Sequence, residues 1–166
     1  MISIQEQVKF VPRGKGRAYW GPGNQLTFLA TGEETGGAFF MAEGVVLPGG
    51  GPPPHIHSRE DESFYLLEGT LTVQVGDKTL QASAGDFVYL PRGIAHAFRN
   101  TGKENARMLV TATPAGLEKY FEETFDPAVE GAVPPLLTEA LIKRAKAAAP
   151  KYGLELLLPA KKAGTV

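Results

Sequence analysis

The chain has 166 residues with 17 Lys plus Arg against 18 Asp plus Glu, a length that suits one domain with a core large enough to stand without staples. A formal net charge of -1 gives no bulk attraction to nucleic acid or an anionic membrane, so the expected partner is a small molecule. There is no Cys, which excludes disulfides, thiolate nucleophiles, Fe–S clusters and thiolate zinc sites, and leaves nitrogen and oxygen to hold any metal.

The opening MISIQEQVKF lacks an apolar core behind a basic segment, and no later apolar run approaches the roughly 18 residues that span a bilayer. A soluble, cytoplasmic protein is expected. Short β-rich runs follow at residues 25–31, 37–47, 52–57, 62–69, 70–76, 78–83, 86–91, 95–100 and 106–112, separated by Gly and Pro in positions where chains turn. That pattern predicts an all-β barrel or jelly roll over about residues 20–113. Beyond it, Leu117, Tyr120, Phe121 and Phe125 recur at helical spacing. This amphipathic helix is either a lid over the barrel mouth or a packed appendage. A second helix is predicted over residues 136–149, after Pro134 and Pro135 and before Pro150, with Lys143, Arg144 and Lys146 on a solvated face near its C-terminal end. Both helices are expected to pack on the barrel as a C-terminal extension over about 114–160, within one domain spanning 1–166. Residues 159–166 read as a frayed tail.

All three histidines lie inside the barrel region. His55 and His57 are two apart, so on an extended strand both face one side while Ile56 faces the other. Glu62 follows His57 by an odd separation and shares that face only if the SRED segment turns or bulges between two strands. Phe64 and Leu66 then point inward with Glu62, and Ser63, Tyr65 and Leu67 outward. His96 opens another strand after the Pro91-Arg92-Gly93 turn, with Phe98 and Asn100 on its face. Three imidazoles and a carboxylate converging in a barrel interior make sense around a cation. Such donors bind a divalent transition metal at about 2.0 to 2.2 Å, and Fe, Mn, Ni, Co and Zn all accept them. Glu60 and Asp61 are expected to be solvated turn residues. Phe40, Phe64, Phe98 and Trp20 are candidates to line a pocket around the metal, with Met41 the alternative to Phe40 because strand neighbours face opposite ways.

Gly49, His55, His57, Glu62 and Gly69 resemble the first cupin motif, and Gly85, Pro91, Gly93, His96 and Asn100 resemble the second. Within the cupins, PPPHIHSREDESFYLLEG and GDFVYLPRGIAHAFRN are similar to single-domain members related to bacterial quercetin dioxygenase. The resemblance implies a cupin barrel, with His55, His57, Glu62 and His96 as ligands of one divalent ion. It also implies a role for Glu62 as the base that takes the proton of a substrate hydroxyl. The implied activity is a metal-dependent dioxygenase acting on a small aromatic or enolisable molecule with dioxygen. The same ligands equally serve a non-redox isomerase or lyase, and a barrel of this kind can also bind a small molecule without turnover. A homodimer is expected, with the segment before Gly21 pairing onto an open sheet edge of a second copy.

Overall fold

The computed structural model describes residues 8–135 and 137–158. In chain order the elements begin with β1 (Ala18–Gly21), β2 (Asn24–Ala30), the one-turn helix α1 (Gly32–Thr35) and β3 (Phe40–Val46). Next come β4 (His55–His57), β5 (Asp61–Glu68), β6 (Thr70–Val75), β7 (Lys78–Ser83), β8 (Phe87–Leu90), β9 (His96–Arg99) and β10 (Ala106–Thr113). The chain then forms α2 (Leu117–Thr124), the two-residue β11 (Asp126–Pro127), α3 (Glu139–Ala148), a 3-10 turn (Ala149–Tyr152) and β12 (Leu154–Leu156). Every expected strand is present, and the two expected helices follow the barrel.

The strands make two antiparallel sheets, one in the order β11-β1-β2-β3-β10-β5-β8 and the other β12-β4-β9-β6-β7. This is the all-β jelly roll that the alternation predicts, with C-terminal helices packed on it. Alternate residues of each inner strand meet between the sheets. Phe64 and Leu66 of β5, Leu71 and Val73 of β6, and Met108 of β10 are all fully buried there. A second cluster lies under α2, where Leu117 and Tyr120 pack with Phe28, Phe40 and Leu154.

β3 resolves the Phe40 and Met41 alternative, since Phe40, Ala42, Gly44 and Val46 are the buried set and Met41 faces away. The strand expected over 52–57 is shortened to His55–His57, because prolines have no N–H to give a ladder. β1, β11 and β12 go beyond the expected elements. β12 runs antiparallel along β4, pairing Leu154 with His57 and Leu156 with His55. The chain turns into it at Gly153, whose φ is +72° and where a Cβ would stand 2.6 Å from Ser58 Oγ, so only glycine fits both conformation and space.

The segment expected to reach a second copy is engaged within its own chain at Ala18–Gly21, between β2 and β11. Residues 1–7 and the tail at 159–166 lie outside the described residues. Among the described residues no helix is long and apolar enough to cross a membrane.

Asn100 closes the loop after β9. Its Nδ2 donates to the carbonyls of Val46 and Glu104, each at 2.8 Å, and its Oδ1 accepts from the Gly102 N–H at 2.9 Å. The side chain is buried, so truncation strands backbone groups away from water. Asn100→Ala is expected to lower stability by about 2–3 kcal/mol, read as a lower urea midpoint with an unchanged denaturant slope.

Candidate metal centre

The odd spacing of His57 and Glu62 is reconciled by a change of sheet. β4 and β9 belong to the five-stranded sheet and bring His55, His57 and His96, while β5 belongs to the seven-stranded sheet and brings Glu62. Between them Ser58, Arg59 and Glu60 carry the chain across the barrel. Two anchors hold that crossing, from the Ser58 N–H to the Gly153 carbonyl at 2.8 Å and from the Gly93 N–H to the His57 carbonyl at 2.7 Å. His55 and His96 are direct neighbours across the ladder.

The four side chains are buried, and one donor atom from each lies within 4.8 Å of all the others. His96 Nε2 stands 3.0 Å from Glu62 Oε2, and His57 Nε2 stands 3.6 Å from the same oxygen. Donors about 2.1 Å from a shared ion are about 3 to 4 Å apart, so these separations fit one divalent cation.

Hydrogen bonding sets the tautomers. His55 Nδ1 lies 2.8 Å from the Pro53 carbonyl and His96 Nδ1 lies 3.0 Å from the Ile94 carbonyl. A carbonyl only accepts, so both rings carry the proton on Nδ1 and turn an Nε2 lone pair inward. At His96 that lone pair faces a carboxylate oxygen, an arrangement that requires a positive charge between them, either a proton or a metal ion. Among the described residues neither ring nitrogen of His57 has a hydrogen-bond partner, as expected of a donor awaiting a metal ion.

Burial, with His96 close by, pushes His55 down to about 4, so at pH 7 the ring is neutral and its Nε2 lone pair is free to ligate. Burial works to raise Glu62, but the His96 hydrogen bond and His57 outweigh it and hold the carboxyl below its ordinary range. Burial works to lower His96, and the bond to Glu62 reverses that direction.

His55, His57 and Glu62 of the cluster stand in the wall of a cavity of about 90 Å³ that is otherwise almost wholly apolar. Pro22, Pro53, Phe98, Met108 and Val110 line it from the barrel. Leu117 and Phe121 of α2, Leu141 and Ile142 of α3, and Leu154 and Leu156 of β12 complete it. The first amphipathic helix therefore packs on the barrel and roofs the cavity at once.

The aromatic candidates divide. Phe98 lines the cavity. Phe64 packs edge-on to Phe98 with ring centres 5.1 Å apart, and Phe40 sits among Phe28 and Phe121 in the cluster beneath α2. Trp20 is half-buried and donates its Nε1–H to Gln25 Oε1 at 3.1 Å, and Met41 lies on the outward face of β3.

Two residues escaped sequence reasoning. Asn24, buried in the cavity wall, leaves its Oδ1 without a partner. Glu60, expected in solvent, is also buried, whereas its neighbour Asp61 pairs with Arg92 through Nε and Nη2 at 3.1 and 2.9 Å. The only sequence signal for Glu60 is its three-residue offset from His57, which becomes readable once the crossing is known.

Geometry and fold together define an all-β barrel with a buried three-histidine, one-glutamate cluster able to hold a divalent metal. Residues 42–112 match the Cupin domain family. Over 120 residues, 72% of this chain and 35% of the other, it is 29% identical to quercetin 2,3-dioxygenase of Bacillus subtilis. It is 33% identical over 89 residues to polyketide synthase CurC of Streptomyces cyaneus, covering 54% of this chain and 56% of that protein. The chain thus spans about a third to a half of the length of these relatives. In fold it is similar to a predicted oxalate decarboxylase from Thermotoga maritima, with TM-score 0.59, 21% identity and coverage of 63% of this chain and 98% of that one. An RmlC-like cupin from Shewanella frigidimarina gives TM-score 0.57 at 18% identity, over 68% and 96% of the two chains.

His96→Ala is expected to lower metal occupancy, measured by elemental analysis, while the barrel stays folded by circular dichroism. In the wild type, a divalent ion at 100 times its Kd should add about 2.7 kcal/mol of stability by mass action, reversed by a chelator.

Proposed function

We propose that this protein is a metal-dependent cupin with quercetinase-like dioxygenase activity on a small aromatic or enolisable substrate. The observation that carries the reading is the convergence of His55, His57, Glu62 and His96, the first three of them in the wall of an apolar cavity. No Lys or Arg stands among the described residues lining that cavity, so it offers no counter-charge to a carboxylate or phosphate, and a neutral substrate is favoured. The similarity to quercetin 2,3-dioxygenase supports the same class.

When bound, the ion supplies Lewis acidity to a substrate oxygen. The protein supplies the rest. Glu62, held by His96, is the base that takes the proton of a substrate hydroxyl, leaving an electron-rich enolate for dioxygen to oxidise. Phe98, Leu117 and Phe121 hold the apolar body and keep water from that anion. At about 90 Å³ the cavity is well below the roughly 300 Å³ of ordinary ligand pockets. A flavonol-sized substrate therefore enters only as α3 and β12 give way.

The reading also includes a homodimer. Its open edge is β8, at one end of the seven-stranded sheet, with Phe87 and Tyr89 exposed. Sedimentation should return a dimer at micromolar concentration, and a monomer there removes this part of the reading.

The activity is tested by dioxygen uptake with protein reconstituted separately with Fe(II), Mn(II), Ni(II) and Co(II), across flavonols and other enolisable aromatics. Uptake is expected with at least one pair and should fall at least about a hundredfold in Glu62→Gln. No uptake by fully metallated protein overturns the dioxygenase reading in favour of a non-redox or binding cupin.

A further inference from the structure

We propose that Glu60 is a positioning residue of the metal centre, whose carboxylate accepts the Nδ1–H of His57 and fixes that ring with Nε2 toward the ion. The inference rests on the metal-binding reading of the site.

The three imidazoles need the same thing, an acceptor on Nδ1 that leaves Nε2 free to ligate. His55 and His96 find it in the carbonyl two residues back, those of Pro53 and Ile94. His57 does not follow them. The carbonyl two residues before it belongs to His55, which lies inside the ladder between β9 and β12. Its Nδ1 has no hydrogen-bond partner, and neither does Oε2 of the buried Glu60. These two orphaned atoms face each other at 3.6 Å, a few tenths of an ångström beyond hydrogen-bond length.

Among the described residues nothing hydrogen-bonds to Glu60 Oε2. Arg92, the nearby cation, is held by Asp61 through its backbone N–H, Nε and Nη2. On its other side Oε1 of Glu60 lies against Gly116 at the start of α2, 3.5 Å from where a Cβ would stand. The carboxylate thus fills a slot between the ligand strand and the roof. A small rotation of His57 as an ion draws on Nε2 closes the remaining gap, satisfies both buried atoms and orients the third imidazole as the backbone orients the other two.

The test is Co(II) affinity by calorimetric titration of the intact protein, independent of turnover. Glu60→Ala is expected to bind Co(II) about 10- to 100-fold more weakly than wild type, and Glu60→Gln, whose amide oxygen can accept the same N–H, to recover most of that affinity. A Glu60→Ala protein that is folded and binds as wild type does overturns the inference while leaving the metal site standing. Wild type that binds no Co(II) overturns both. Should Glu60→Ala fail to fold, nitrogen-15 spectra of the Zn(II)-loaded wild type decide the question. The His57 Nδ1–H is expected to exchange with water as slowly as those of His55 and His96, and fast exchange at His57 alone overturns the proposal.

Discussion

Three imidazoles from one sheet and a carboxylate from the other share an interior that is otherwise apolar, and their charges and lone pairs govern how the barrel can close. A buried carboxylate without a partner is costly, and so is a lone pair aimed at an anion. His55 and His96 meet this demand partly through a local contact, an Nδ1–H on a carbonyl. One cation would satisfy the remaining inward-facing atoms together. Because Glu62 stands on the other sheet from the histidines, such a cation would join the two sheets as well as the four side chains. The crossing at residues 58–60 and its anchors to Gly153 and Gly93 keep the two halves of the set in register before any ion arrives.

The arrangement also separates polar chemistry from binding surface. Polar donors gather in one patch of wall, and nearly everything else facing the cavity is carbon. Specificity in such a site comes from shape and from the few atoms held at the metal. The relatives with matching sequence or fold carry several different names, in keeping with a barrel whose chemistry is set by what its lining admits.

The inner strands and the convergence of His55, His57, Glu62 and His96 were legible in the sequence because both rest on short-range rules. Alternation along β5 placed Glu62, Phe64 and Leu66 on one face, and the two-residue spacing of His55 and His57 placed both rings inward. What escaped depends on contacts distant in sequence. β11 and β12, at two and three residues, are too short to show a period and exist only because a neighbouring strand offers an edge. Glu60 lies in the charged run SRED, which has the composition of a solvated turn. It is buried because that turn passes under the start of α2. The choice between lid and appendage for the first helix was beyond periodicity, since one apolar face both seals a core and borders a cavity.

The pairing of β12 with β4 has a consequence for how the protein comes into being on the ribosome. The strand bearing His55 and His57 is made long before Leu154–Leu156, the residues that complete its outer edge. Through most of synthesis the two ligands therefore sit on a strand whose edge and roof are both missing, open to the surrounding pool of ions. For an ion held by these four side chains, its identity would in this sense depend partly on timing. An ion bound early would have only the side chains to hold it, whereas one present after β12 docks would stand behind the α3 and β12 residues that line the cavity. Metal content should accordingly follow the ions available during translation as well as the order of equilibrium affinities.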